Sequence, residues 1–179
     1  SAHLVDQLLT LARSEPQARA APEERIDLAR VARAVVAEMT PLAVARGSKI
    51  EFDAPDALAL HGDANALHSL LRNLVDNALR HTPAGSRVAV RIDIEDDHAC
   101  VSVDDDGPGI AVEERERVFD RFYGRTAGGD GGSGLGLAIA KAVIDRHAGR
   151  IELDRSPLGG LRVLVLLPRI HENAALSTS

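Results

Sequence analysis

The sequence predicts an α/β fold, and three observations carry the prediction. Apolar residues recur at helical spacing over 28–46, 64–81 and 135–147, and two later segments alternate with period two as hairpins do. The third is bulk: 179 residues at 45% apolar composition can bury a core in one domain, with a short appendage and no second full domain.

The elements follow in order. Residues 1–15 place Leu4, Leu8 and Leu11 on one helical face and break at Ser14-Glu15-Pro16, so they read as the tail of a helix whose partners lie elsewhere. Ser1 opens inside that pattern, as in a piece cut from a longer chain. An Ala/Pro/Gln-rich linker is expected at 16–25, the main domain at 26–170, and a disordered tail at 171–179. Asp27 is a good N-cap for the helix 28–46, with Leu28, Val31, Val35, Met39 and Leu42 on one face, Pro41 as a bend and Gly47 as the stop. Short strands are expected at 49–53 and 57–60. Asp63 caps the helix 64–81, which Thr82-Pro83 ends because a residue before proline avoids helical geometry. Val88, Val90, Ile92 and Ile94, the turn Glu95 to His98, and the run Cys100 to Val103 predict a hairpin. Residues 111–134 start as a charged helical turn and become glycine-rich, as a mobile lid or linker does. After the helix 135–147, Ile151 to Leu153 and Leu161 to Leu167 form a second hairpin around Ser156 to Gly160.

Charge and composition narrow the function. With 27 acidic against 21 basic residues the net charge is −6, which argues against nucleic acid as the main partner. Cys100 stands alone inside an apolar run, so it reads as a buried thiol, and neither an internal disulfide nor a cysteine metal cluster can form. No run approaches the roughly 18 apolar residues that would span a bilayer.

Three motifs carry chemistry. Gly132-Ser133-Gly134-Leu135-Gly136-Leu137 runs into an apolar helix, where glycine backbone and free N–H groups at a helix start suit an anion. On the helix 64–81, Leu67, Leu70, Leu71, Leu74 and Ala78 make one stripe, and Asn73, Asn77 and Arg80 fall within roughly 60° beside it. That rim reads either as a solvated face or as a neutral oxygen ligand for Mg²⁺ with an arginine for phosphate. Asp104-Asp105-Asp106-Gly107-Pro108-Gly109 follows a strand and reads either as a solvent-facing acidic turn or as a carboxylate held to accept a hydrogen bond from a base amine. A P-loop is excluded, since Lys49 and Lys141 are the only lysines and neither adjoins these glycines; the dinucleotide fingerprint is absent as well.

Asn73-Leu74-Val75-Asp76-Asn77-Ala78, Asp105-Asp106-Gly107-Pro108-Gly109, Phe119 to Tyr123 and Gly132 to Leu137 resemble, in that order, the N, G1, F and G2 boxes of bacterial sensor histidine kinases. The resemblance implies a Bergerat-type ATP-binding domain of the GHKL superfamily: a two-layer α+β sandwich, its mixed β-sheet packed on one face by helices, with a flexible ATP lid. It implies that Asn77 is the Mg²⁺ ligand and Asn73 its companion near the phosphates. Asp105 would take the adenine amine, Gly107, Gly109 and Ile110 would shape its pocket, and Phe122 would lie beside the nucleotide. Gly132, Ser133, Gly134, Leu135, Gly136 and Leu137 would wrap the triphosphate, with Arg80 and His81 approaching phosphate or sugar. Arg121 or Arg125 would meet the γ-phosphate, although Gly124 between Tyr123 and Arg125 departs from the usual lid. Asp76, one residue before Asn77, is a carboxylate that a base role could use.

The resemblance also implies partners: the dimerisation and phosphoacceptor domain of the same parent kinase, and a response regulator. Residues 1–13 resemble the end of the second dimerisation helix; this piece would be a monomer and its parent a homodimer, on the cytoplasmic side of an inner-membrane sensor. None of the seven histidines has the family's phosphoacceptor context, so the receiving histidine is expected outside this sequence. His147, before Ala148-Gly149 at a helix end, reads as a capping or packing residue, and His98 as exposed. Two other readings stand beside the kinase: a nucleotide-responsive binding module that transfers nothing, and a GHKL ATPase. The ATPase relatives place a water-activating Glu where this chain has Asn73, and an amide cannot serve as that base.

Overall fold

The computed structural model describes residues 24–120 and 135–170, together with Leu4, Val5 and Leu8. Residues 16–23 of the linker expected at 16–25, the segment 121–134, the tail 171–179 and most of the N-terminal helix lie outside the described residues. Leu4, Val5 and Leu8 are helical, and Leu4 packs against the core.

A strand absent from the sequence expectations opens the domain. β1 (Glu24–Asp27) pairs antiparallel with β3 (Ala59–Gly62), so Glu24 and Arg25 belong to a strand and not to the expected linker. Its only apolar side chain is Ile26, which gives no alternation to read; backbone pairing makes the strand. β3 starts two residues later than expected, and Ile170 N donates to Ala59 O (3.2 Å), so the end of the domain touches the same small sheet.

Asp27 caps α1 (Leu28–Ala45) as expected: its Oδ1 accepts from Ala29 N (3.0 Å) and Arg30 N (3.3 Å). The same oxygen takes Leu58 N (3.0 Å), which ties the helix start to the approach to β3. Leu28, Ala29, Ala32, Val35, Met39 and Ala43 are buried, whereas Leu42, expected on that face, is 38% exposed. Ala43 lies about 40° from Met39 around the axis and Leu42 about 60° to the other side, so the smaller residue takes the core position. Gly47 (φ 65°) ends the helix in the left-handed region.

β2 (Lys49–Asp53) runs parallel to β4 (Arg87–Glu95), and the helix between them, α2 (Ala64–Arg80), is capped by Asp63, whose Oδ1 takes Ala66 N at 3.0 Å. Leu67, Leu70, Leu71, Leu74 and Leu79 of α2 are fully or almost fully buried, at about 1.5–3 kcal/mol of transfer free energy each. β4 and β5 (His98–Asp105) form the expected hairpin, with Asp96 (φ 49°) in its turn; His98 is half-buried there and not simply exposed. β6 (Arg150–Arg155) and β7 (Leu161–Pro168) form the second hairpin, and β7 pairs with β5.

The five-stranded order is β2-β4-β5-β7-β6, antiparallel except at β2–β4: the mixed sheet that was expected. Strand alternation sends Val88, Val90, Ile92, Val101, Val103, Val163 and Val165 to one buried face. On that face α1 packs against β2 and α2, α2 against β4 and β5, and α3 (Gly136–Arg146) against α2 and β6. The charged turn after β5 is a pair of 3-10 turns, Val112–Glu114 and Arg117–Phe119, and Val118 is buried. Among the described residues no helix is long and apolar enough to cross a membrane.

Candidate functional site

The three adjacent carboxylates at the end of β5 separate by strand alternation. Asp104, on the outer face and 3% exposed, takes the Arg162 guanidinium on both oxygens (Nε to Oδ1 2.8 Å, Nη2 to Oδ2 3.0 Å). Asp106 is exposed and accepts from Arg87 N at 3.1 Å. Asp105 continues the inward parity of Val101 and Val103 and is 5% exposed. An acidic turn facing solvent is thus the wrong description for two of the three.

Asp105 is tied down on one side only. Its Oδ1 accepts from Gly107 N (2.9 Å) and Leu161 N (3.0 Å), and its carbonyl accepts from Gly160 N (3.1 Å). Among the described residues Oδ2 has no hydrogen-bond partner. Burial pushes this carboxyl above the ordinary aspartate range, against the pull of the Leu161 and Gly107 N–H groups; Asp106 adds to the rise and His81 opposes it.

Gly160 and the backbone of Leu161, 55 and 56 residues along the chain from Asp105, were not singled out from the sequence. A Cβ on Gly160 would run into Asp105 Oδ1 and, at 2.5 Å, Gly107 N, so only glycine lets β7 close on the carboxylate. The readable signal was the Gly159-Gly160 pair before a strand, one glycine more than the turn uses. Only Gly159 has positive φ (107°); Gly160 is needed for close approach.

The turn after Asp105 meets the end of α2. A Cβ on Gly107 would lie 2.9 Å from Thr82 Cγ2 and 3.0 Å from His81 O, and Gly109 (φ 73°) lies against Gly160. Thr82, also missed, is buried and donates to Ala78 O (2.9 Å), while its carbonyl accepts from Arg46 Nη2 (3.1 Å). Ile110 is half-buried and packs on the core. His81 is exposed at the C-cap of α2.

Along the α2 rim, Asn73 and Asn77 are half-buried, and among the described residues neither side chain has a hydrogen-bond partner. Asp76 is also half-buried and accepts from Arg80 Nε (2.8 Å), so the arginine expected at phosphate holds this carboxylate one turn back. Asn73 stands at the start of α3: a Cβ on Gly136 would lie 3.6 Å from its Oδ1. Leu135 is 0% exposed in the core, so any anion contact there falls to its backbone, and Leu137 packs on the core edge. One helix therefore carries both halves of the site, the Asp105 turn at its end and the α3 start at its middle. Arg121, Phe122, Arg125, Gly132, Ser133 and Gly134 lie outside the described residues.

The donor set suits a hard cation shared with a ligand. Among the described residues no three His, Cys, Asp or Glu converge as a metal cage. Two amide oxygens without partners among the described residues suit an ion that takes one or two side-chain ligands and fills its shell from phosphate and water, as Mg²⁺ does.

A family model described as histidine kinase-, DNA gyrase B- and HSP90-like ATPase matches residues 62–171. The sensor protein kinase PmrB of Pseudomonas aeruginosa is 37% identical over 173 residues, 96% of this chain and 36% of that protein. The mycobacterial sensor histidine kinase MprB superposes with a TM-score of 0.73 at 31% identity, covering 82% of this chain and 97% of that one. Full-length ShkA in complex with AMPPNP gives a TM-score of 0.79 at 26% identity, over 93% of this chain and 35% of that one. The chain spans about a quarter to a third of the length of the curated relatives it matches.

Proposed function

The chain belongs to the histidine kinase-, DNA gyrase B- and HSP90-like ATPase family, with sensor histidine kinases as its relatives, and from that membership we propose that it binds Mg-ATP and donates the γ-phosphate to a histidine of its parent's dimerisation domain, for relay to a response-regulator aspartate. The observation that carries the nucleotide reading is Asp105, one oxygen engaged by Gly107 N and Leu161 N and the other without a partner. A carboxylate so fixed accepts from an exocyclic amine and rejects a carbonyl at the same place, which is how adenine differs from guanine.

Phosphoryl transfer needs position and charge neutralisation more than covalent chemistry. Asn77, with Asn73 beside it, would hold the Mg²⁺, which supplies charge neutralisation at the phosphate oxygens. The α3 start offers its N–H groups and dipole to the phosphates, and Gly136 leaves room for them next to Asn73. Arg121 or Arg125 would meet the γ-phosphate. Asn73 has no basic lone pair to take a proton from water, and Asp76 is held by Arg80, so hydrolysis is disfavoured and the phosphoryl group is kept for histidine.

The test is a mixing experiment. Labelled ATP with this chain alone should label nothing; adding the parent's dimerisation domain should label that domain at histidine, and adding the cognate receiver should move the label to aspartate. Label on this chain itself would overturn the expected histidine acceptor, and label nowhere while Mg-ATP binds would reduce the domain to a nucleotide-responsive binding module.

A further inference from the structure

We infer that His147 is a positioning residue for the phosphate end of the site: by pinning the last turn of α3 to the first turn of α2 it sets where Gly136 stands beside Asn73. The inference rests on the nucleotide reading above. On that reading α3 meets the ligand at its first turn; it packs against α2, and its Ile139, Val143 and Ile144 are fully buried, apolar packing that sets distance better than direction. Directional bonds sit at the far end.

His147 Nδ1 lies 2.7 Å from Val143 O, and Nε2 accepts from Asp63 N at 3.0 Å. A carbonyl on one side and an N–H on the other leave one solution, a neutral ring with its proton on Nδ1. Asp63 is also the N-cap of α2, so the histidine grips that helix at its first turn. The ring lies flush on Gly62, where a Cβ would be 2.7 Å from Cδ2 and 2.8 Å from Nε2. A helix of 11 residues is rigid over about 16 Å, so displacement of its last turn is carried to its first.

A second proton on Nε2 would face the Asp63 N–H and break this joint. The charged groups around the ring are Asp63, from the β3–α2 junction, and Arg146, on α3 with its Nη1 3.8 Å from Asp63 Oδ2. Burial lowers the affinity of His147 for that proton and Arg146 lowers it further, while Val143 O and Asp63 oppose them. The joint is therefore intact at neutral pH and opens as pH falls below the ordinary histidine range. Polyphosphate affinity, and not adenosine affinity, then weakens in acid.

The test is calorimetric titration of the whole chain with Mg-ATP and with adenosine, at about pH 7.5 and at an acid pH where NMR shows the wild-type His147 ring protonated, in wild type, His147→Gln and His147→Ala. Glutamine keeps an acceptor near the Nε2 position and has no proton to gain, so comparison with it cancels protonation of the nucleotide. At neutral pH His147→Gln should bind Mg-ATP within about twofold of wild type, and in acid about fivefold more tightly than wild type, the worth of one hydrogen bond. His147→Ala should lose about tenfold in Mg-ATP affinity against wild type at neutral pH and only about twofold in acid, where the wild-type joint is itself open, with adenosine affinity within about twofold throughout. Parallel pH dependence in wild type and His147→Gln overturns the inference, as does equal loss of adenosine and Mg-ATP in His147→Ala. If the alanine variant fails to fold, the wild-type and glutamine pair decides. A wild-type chain that binds no Mg-ATP at neutral pH overturns the nucleotide reading itself, a different failure from parallel curves.

Discussion

Replacing Asp105 by Asn separates the carboxylate's structural role from its recognition role. Gly107 N and Leu161 N both donate to Oδ1, at 2.9 and 3.0 Å, so an asparagine must turn its carbonyl toward them and its NH₂ outward, where Oδ2 stood. The fold keeps both bonds. They weaken with the loss of charge, but the variant is freed of the burial that raises the Asp105 pKa, so stability at neutral pH should change by no more than about 1 kcal/mol. The sign with pH follows from that raised value. The native carboxyl holds its proton more tightly than the unfolded one, so ionisation costs stability above its folded pKa, and the cost fades as pH falls toward 3.8. The amide of the Asp105→Asn variant carries no such cost, so its stability relative to wild type should improve from acid to neutral pH. Recognition reverses. An amine of adenine would meet an N–H donor, which loses a charge-assisted bond of about 1.5–3 kcal/mol and adds about 1–3 kcal/mol for unpaired groups, together at least about sixtyfold in ATP affinity. Inosine triphosphate, with a carbonyl in place of the amine, should be affected least and overtake ATP. Calorimetric titration with both nucleotides, beside thermal unfolding across pH, reads all of this. Less than about threefold loss of ATP affinity in a folded variant would refute the assignment, and so would loss of both nucleotides alike.

Two further substitutions probe the remaining contacts. Gly160→Ala puts a Cβ into Asp105 Oδ1 and Gly107 N, so it should cost about 1–3 kcal/mol in denaturant unfolding and abolish nucleotide binding even where the chain still folds. Asn77→Ala should leave metal-free ATP binding in EDTA within about twofold while removing the gain from Mg²⁺; a retained magnesium increment would assign the ion to other groups.

Much of the fold was readable because its signals are local. Asp27 and Asp63 announce their helices by a capping carboxylate, and Val88 to Ile94 announce a strand by alternation. β1 was not readable: Ile26 alone makes no period, and its partner strand is remote in sequence. Leu42 was misplaced because a face of Leu28, Val31, Val35 and Met39 extends equally well to Leu42 or Ala43, and packing against the sheet chose the latter. At the site, the boxes gave residue types but not partners. Parity from Val101 and Val103 would have turned Asp105 inward and Asp104 outward, yet no local rule gives Leu161 N as the donor to Asp105 or Arg162 as the partner of Asp104. Those pairings exist only once β7 lies beside β5.

That position of β7 has a consequence for biosynthesis. It is the last strand of the domain in chain order, yet it sits inside the sheet between β5 and β6; its first residue, Leu161, donates its N–H to the Asp105 carboxylate, and Gly160 just before it donates to the Asp105 carbonyl. During translation, α2 and the Asp105 turn leave the ribosome long before Gly160 and Leu161 do. On the proposed nucleotide reading, a nascent or truncated chain therefore has its asparagines and its aspartate without the strand that would complete the base pocket. Nucleotide binding would then arrive only with the closing strand, and an unfinished domain would neither sequester ATP nor gain the protection from proteolysis that bound nucleotide would give it.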